Sequence, residues 1–252
     1  MSEEQPLDSA PLVPEPAPAA APEPERYPFW SYGDLAVFAG LFFPCLFLGV
    51  WLVKGFSGLF RFHVDARAAV PLAAQFTGYL FWFGVLWLIL KIHDEPFWRS
   101  LGWKSFRMQP MFVILLGVLS AYGVSILGKL IQTPETPNPM TELMEGRLSL
   151  ILMAIFGITF GPLCEELAFR GFLQPLLVRS LGPAPGVILA AIPFGLLHYR
   201  EYGNSWRHAV IVAAAGAAFG WVRHITGSTR ASTLMHGAYN SLFFVAFLAR
   251  GK

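Results

Sequence analysis

The chain has 252 residues, of which 55% are hydrophobic and 13% are charged, and its formal net charge is +2. A typical soluble domain has about 25% charged residues, so this composition excludes an ordinary soluble protein and indicates an integral membrane protein. The small net charge and the lack of a basic cluster argue against a nucleic-acid partner. Lipid offers no hydrogen-bond partners to an open sheet edge, so we predict an all-α, polytopic transmembrane bundle.

The N-terminal 27 residues differ in composition from the rest of the chain. They are acidic and rich in proline and alanine, which predicts a disordered tail. The tail lacks the basic and apolar parts of a signal peptide. We therefore expect it to stay in the cytoplasm, with residues 28–252 forming a multi-pass domain of the plasma (inner) membrane.

Seven apolar segments follow the tail, and we predict that each is a membrane-spanning helix. They cover about 35–53, 68–90, 111–128, the run that begins at 148, 185–198, 209–222 and 232–249. Within the fourth segment, the Gly161-Pro162 pair predicts a break or a bend in the helix, and the later Gly171 and Pro175 predict a further break. Residues 172–180 should then form a short elbow helix.

Charged residues end the fourth apolar run, where Glu165, Glu166 and Arg170 follow one another closely. Charge at membrane depth is costly, so this cluster predicts a functional site. Glu166 and Arg170 are four residues apart and share one helical face, which favours an ion pair. Glu165 lies about 100° round the helix and can face a cavity as a general base. The alternative is a charge cluster at the lipid headgroups.

Two further polar pairs lie in apolar segments. His198 follows Phe194 by one turn, and His236 precedes Asn240 by one turn. An interfacial or core imidazole is the alternative for His198, and hydrogen bonding between helices is the alternative for His236 and Asn240. Two donors four residues apart can also converge on an oxyanion.

The ordered motifs Glu-Glu-x-x-x-Arg, Phe-x-x-x-His and His-x-x-x-Asn resemble those of the CAAX protease and bacteriocin-processing (CPBP, or Abi) family of type II CAAX prenyl endopeptidases. The resemblance implies an intramembrane endopeptidase with its catalytic region at residues 148–249. It also implies the role of each motif residue: Glu165 and His198 activate water, His236 and Asn240 stabilise the oxyanion, and Glu166, Arg170 and Phe194 support the site.

By the same resemblance, the substrate is a membrane-associated or lipidated protein or peptide, and membrane lipid is the other partner. We expect no metal cofactor, since asparagine is a poor zinc ligand. The alternative is a divalent metal such as zinc, held by Glu165, His198 and His236.

Two other classes of function fit the sequence, namely a non-catalytic scaffold or immunity-type protein of the same fold and a proton-coupled transporter. Ideal antiparallel spans would also put Glu165 and His198 near opposite membrane faces. We expect the breaks around Gly161 and Gly171 to bring them to one depth.

Overall fold

A computed structural model of the protein describes residues 27–60, 67–134 and 142–249. These residues form helices and connecting turns without any strand, which confirms the predicted all-α fold. The predicted N-terminal tail lies, apart from Tyr27, outside the described residues.

Nine helices lie wholly within the described residues, and they are numbered here in chain order. They are α1 (Tyr32–Gly40), α2 (Phe42–Phe60), α3 (Ala69–Ile92), α4 (Phe97–Ser100), α5 (Pro110–Leu130), α6 (Arg147–Leu181), α7 (Pro183–Leu197), α8 (Trp206–Thr226) and α9 (Thr229–Ala249).

Local sequence signals fix several of the helix ends. At the start of α1, the Ser31 side chain accepts from the Asp34 N–H and the Asp34 carboxylate accepts from the Ser31 N–H, which forms a capping box. Ser205 caps the N-terminus of α8, and Gly227 ends that helix with a φ of 64°. Such a left-handed conformation favours glycine, because it carries no Cβ.

Among the described residues, five stretches are long and apolar enough to cross a membrane, by length and composition. One is formed jointly by α1 and α2, and the others are α3, α5, α6 and α8. The described part of the chain is therefore a multi-pass membrane protein. Helix α7 is apolar but has only 15 residues, and α9 has 21 residues that include many polar side chains. The predicted count of seven spans stays a prediction.

Helix α6 contains two π-helical stretches, Phe156–Phe160 and Leu167–Leu173. Each stretch ends two residues before a proline, Pro162 or Pro175. A proline lacks the N–H that bonds to the carbonyl four residues back, and its ring clashes with that carbonyl. The wider π turn relieves this clash while the helix continues.

No break is therefore formed at Gly161-Pro162 or at Gly171: the first position follows a π stretch directly, and the second lies within one. Helix α6 is continuous from Arg147 to Leu181. The residues of the predicted elbow helix belong to the second π stretch and to the last α-helical part of α6, Gln174–Leu181.

The hairpin of α6 and α7 sets the depth of the predicted site residues. Helix α6 continues past Glu166 to Leu181, and α7 returns the chain over 15 residues to His198. Both helices rise about 1.5 Å per residue, so this return brings His198 back to the level of Glu166. The rings of Phe169 on α6 and Phe194 on α7 meet at that level, 5.2 Å apart. Ideal antiparallel spans would put the predicted site residues at different depths, and the length of α6 beyond Glu166, rather than a break, removes that difference.

Glycines let the helices that carry the site pack with their backbones in contact. A Cβ on Gly195 of α7 would lie 2.3 Å from the Ala209 carbonyl oxygen of α8. A Cβ on Gly117 of α5 would lie 2.4 Å from a carbonyl of α9, and one on Gly237 of α9 would lie 2.7 Å from a carbonyl of α6. These contacts join α7 to α8, and they join both α5 and α6 to α9.

Candidate active site

The two adjacent glutamates of α6 have different surroundings. Glu166 is fully buried, whereas 23% of the Glu165 side chain is exposed. Both lie in the short α-helical part between the π stretches, Gly161–Glu166, where neighbouring side chains diverge by about 100°. One carboxylate is therefore enclosed by protein, while the other reaches an open space.

Oε1 of Glu166 is held between two cationic or hydrogen-bonding groups. It lies 2.9 Å from Nη1 of Arg170 and 3.1 Å from Nδ1 of His236. The contact with Arg170 is an ion pair by distance, without the alignment of a hydrogen bond. This is the ion pair that the spacing in the sequence predicts. A buried carboxylate needs such compensation, because desolvation of an isolated charge is costly.

The guanidinium group of Arg170 is enclosed by aromatic rings. Its side chain is 1% exposed, and its central carbon lies 4.3, 5.6 and 5.8 Å from the ring centroids of Phe194, Phe219 and Phe169. Nη2 donates a hydrogen bond of 2.7 Å to the carbonyl oxygen of Gly216 on α8. The ion pair, this hydrogen bond and the cation–π contacts fix the arginine in one position.

A second side chain of α6 bonds to α8 in the same way. Gln174 donates a hydrogen bond of 2.8 Å to the Gly220 carbonyl, one helical turn beyond the contact between Arg170 and Gly216. A Cβ on Gly216 would lie 2.7 Å from the Phe194 ring and 2.9 Å from Arg170 Nη2. Glycine on α8 therefore provides the space for this arginine.

His236 connects the two glutamates. Its Nδ1 faces Oε1 of Glu166, and its Nε2 lies 3.8 Å from Oε2 of Glu165. The ring stacks on Phe219 at 4.5 Å between centroids and meets the edge of Phe194 at 5.9 Å. Since Glu166 accepts from Nδ1–H, the Nε2 edge is the one turned toward Glu165 and its open space.

His198 lies at the C-terminal end of α7 and caps that helix. Its Nδ1 lies 2.8 Å from the Phe194 carbonyl oxygen, and it must be the donor because a carbonyl only accepts. In the neutral ring Nε2 is then the acceptor, and it lies 3.9 Å from Oε2 of Glu201. The ring centroid of His198 is 4.9 Å from that of Phe194. His198 and His236 thus flank the same phenyl ring.

Glu201 lies in the loop between α7 and α8 and is a carboxylate that the sequence analysis did not select. Burial raises its pKa, the nearby His198 imidazole lowers it, and the charge of Glu165 raises it. About half of its side chain, 46%, is exposed. Glu201 therefore lies beside His198 at the C-terminal end of α7.

Asn240 lies one turn after His236 on α9. Its Nδ2 donates a hydrogen bond of 2.7 Å to the carbonyl oxygen of Gly157, in the first π stretch of α6. A side-chain amide has two N–H donors, so one remains after this bond. Asn240 is thus anchored to α6 beside the cluster rather than bonded to a glutamate of the cluster.

Within the described ranges, no group of three or more His, Cys, Asp or Glu side chains is placed to hold a metal ion. Both nitrogens of His236 face carboxylates, and Nδ1 of His198 faces a carbonyl. In both histidines Nδ1 is the bonded ring nitrogen and Nε2 has no hydrogen bond within the described residues, so hydrolysis without a metal stays a prediction.

Sequence reasoning missed the contribution of α8. Gly216 accepts from Arg170, and Phe219 stacks on His236, although neither was selected as a site residue. The available signal was the pair Gly216-x-x-x-Gly220, a pattern of small residues that lets membrane helices approach closely. Glu201 could have been noticed as an acidic residue three positions after His198.

Comparison with known families agrees with the ordered motifs. Residues 147–242 match the family model described as Rce1-like, type II CAAX prenyl endopeptidase. The matched region begins with α6 and contains all the motif residues from Glu165 to Asn240. No significant similarity was found to a curated protein or to a solved structure.

Proposed function

We propose that the protein is an intramembrane endopeptidase of the CAAX protease and bacteriocin-processing family, because residues 147–242 match the model of type II CAAX prenyl endopeptidases. Its substrate is a membrane-associated or lipidated protein, in which it hydrolyses a peptide bond. The observation that carries the proposal is the contact of Glu165 with His236, which is backed by buried Glu166 and Arg170 within the matched region.

Glu165 is the proposed general base. Its partly exposed carboxylate takes a proton from water while the water oxygen bonds to the scissile carbonyl carbon. The same carboxyl group then returns the proton to the leaving amine as the C–N bond breaks. His198 is proposed to orient the water through Nε2, since its Nδ1 is already bonded to the Phe194 carbonyl.

His236 and Asn240 are the proposed oxyanion donors. When both ring nitrogens carry a proton, His236 donates Nδ1–H to Glu166 and keeps Nε2–H for the oxyanion. The N–H of Asn240 that does not bond to Gly157 is the second donor. Glu166, Arg170 and Phe194 act as positioning residues, because they hold the His236 ring.

The cofactor and the orientation follow as further parts of the proposal. Hydrolysis proceeds through the glutamate and the histidines without a metal ion. Residues 148–249 form the catalytic region, and the N-terminus is cytoplasmic in the plasma (inner) membrane. The partly exposed carboxylate of Glu165 beside His236 supports hydrolysis over a silent scaffold.

A reconstituted peptidase assay tests this function. Full-length protein in liposomes is given an internally quenched peptide with a farnesylated CAAX end, and an unprenylated copy in parallel. We expect Glu165→Gln to lower kcat about 10²–10⁴-fold, as for loss of a general base, with little change in KM. Glu142→Gln is the matched control, since Glu142 is exposed and precedes α6.

Two results would overturn the proposal. Full activity of Glu165→Gln removes the base, and loss of wild-type activity on treatment with a chelator, restored by zinc, replaces the mechanism by a metal-dependent one. Cleavage of both peptides at equal rates would show that prenylation is not recognised, while leaving peptidase activity in place.

A further inference from the structure

A groove outside the proposed active site runs along α9 between α5 and α6. It encloses about 880 Å³ and is lined on α9 from Arg230, near the start of the helix, to Val245. At about 1.5 Å per residue, this lined part of α9 is about 22 Å long. One leaflet contributes about 15 Å, half of a hydrocarbon core of about 30 Å, so a lipid chain fits within the groove.

The body of the groove behaves as an apolar surface, because the hydroxyl groups that line it are already hydrogen-bonded within their own helices. Thr159, Thr233 and Ser241 each donate their hydroxyl proton to the carbonyl four residues back in their own helix, at 2.6, 2.9 and 2.7 Å. An extended peptide in the groove would bury backbone N–H and C=O groups away from these donors, which is costly. An alkyl chain has no such groups to satisfy.

The end of the groove at the start of α9 is cationic. Arg230 is exposed and makes neither an ion pair nor a hydrogen bond with any part of the chain that the structure describes. Trp103 lines the same end, and Nζ of the exposed Lys104 lies 3.4 Å from the Cβ position of Gly227, just before α9. Tryptophan is enriched at the membrane interface, and basic side chains there attract anionic headgroups.

We propose that this groove binds an anionic phospholipid, with its phosphate at Arg230 and an acyl chain along α9 between α5 and α6. The cationic end of the groove matches the phosphate of such a lipid, and the apolar body of the groove matches its acyl chain. The site does not depend on peptidase activity, because no proposed catalytic side chain lines the groove. The lipid contacts α9 on a face other than the one that presents His236.

Lipid binding to purified full-length protein tests the inference. Phosphatidylglycerol and phosphatidylcholine are added separately to the protein in detergent, and retained lipid is counted by native mass spectrometry. We expect the wild type to retain one phosphatidylglycerol in preference to phosphatidylcholine. Arg230→Ala should weaken phosphatidylglycerol binding about fivefold, as for loss of one basic contact to an anionic lipid. Val118→Phe should reduce binding by filling the groove.

Matched controls lie beside the groove. Arg99→Ala removes another exposed arginine, from α4, and Leu119→Phe enlarges a side chain that is 54% exposed and does not line the groove. Both controls should retain the lipid as the wild type does. Arg230 is exposed, so we expect Arg230→Ala to fold. This variant therefore still tests lipid binding if Val118→Phe does not fold.

Three outcomes would overturn the inference. One is equal retention of the two lipids by the wild type. Another is an effect of Arg99→Ala as large as that of Arg230→Ala. The third is displacement of all bound lipid by a peptide with a free C-terminal carboxylate in an Arg230-dependent manner, which would assign the groove to substrate.

Discussion

Glu166 and Arg170 depend on each other, because both side chains are almost completely buried. Removing one partner of a buried ion pair leaves an uncompensated charge and typically costs about 3–5 kcal/mol. Replacing both partners by uncharged side chains of similar volume costs much less. The losses of stability caused by substituting the two residues should therefore not be additive.

Arg170→Met is predicted to lower the free energy of unfolding by about 3–5 kcal/mol, since Glu166 stays buried without its cation. The double variant Glu166→Gln/Arg170→Met should recover part of this loss. Thermal unfolding of the full-length variants in detergent measures both effects. Glu166→Gln alone completes the cycle, and a double variant whose loss equals the sum of the losses in Arg170→Met and Glu166→Gln would contradict the coupling.

Glu201 gives a prediction with a defined sign. Burial raises its pKa in the folded protein, so folding favours the protonated form. The resulting penalty is absent below the pKa of the unfolded chain and grows as the pH rises toward the raised value. Glu201→Gln should thus raise the Tm at pH 8 and leave it unchanged at pH 4. A difference in Tm that is constant from pH 4 to pH 8 would contradict this account.

At the scale of helices, the sequence predicts which residues share a helical face better than it predicts where a helix is interrupted. The four-residue spacing of Glu166 and Arg170 predicts their contact, since it depends only on helical geometry. The Gly161-Pro162 pair predicts a break or a bend, and α6 avoids the break through a π stretch, because a wider turn meets the same steric demand. Contacts such as Phe219 with His236 depend on how α8 packs, which local spacing does not encode.

The packing of α7 on α8 gives the prediction at this scale. A Cβ on Gly195 would meet backbone atoms of α8, the Ala209 carbonyl at 2.3 Å and the Ala213 nitrogen at 2.9 Å. Gly195→Ala should therefore push the helices apart, cost about 1–3 kcal/mol and displace His198 at the end of α7. Tm and peptidase rate should both fall.

Gly123→Ala on α5 is the control for this substitution. A Cβ at Gly123 has no atom within 4 Å, and alanine favours a helix over glycine by about 1 kcal/mol. The control should match or exceed the wild type in Tm. Equal behaviour of the two variants would mean that the close approach of α7 and α8 does not position His198.

At the scale of the whole molecule, the segment before α1 joins elements that are distant in sequence. Trp30 is fully buried, stacks on Phe172 at 4.9 Å between centroids and donates from Nε1 to the Phe172 carbonyl at 3.1 Å. Tyr27 donates to the Ser100 carbonyl and accepts from Arg223 on α8. The segment therefore braces the second π stretch of α6, which carries Arg170.

Trp30→Phe tests whether this brace supports the site. The variant keeps an aromatic ring but leaves the buried Phe172 carbonyl without its indole donor, which should cost about 1–3 kcal/mol. Trp51→Phe is the control, because Trp51 is 72% exposed on the outer face of α2. If the brace holds Arg170 in place, Trp30→Phe should lower both the temperature at which peptidase activity is lost and the global Tm, relative to the wild type. The temperature of activity loss should fall by more than the Tm. Equal falls would mean that the segment stabilises the whole bundle without a particular effect on the site.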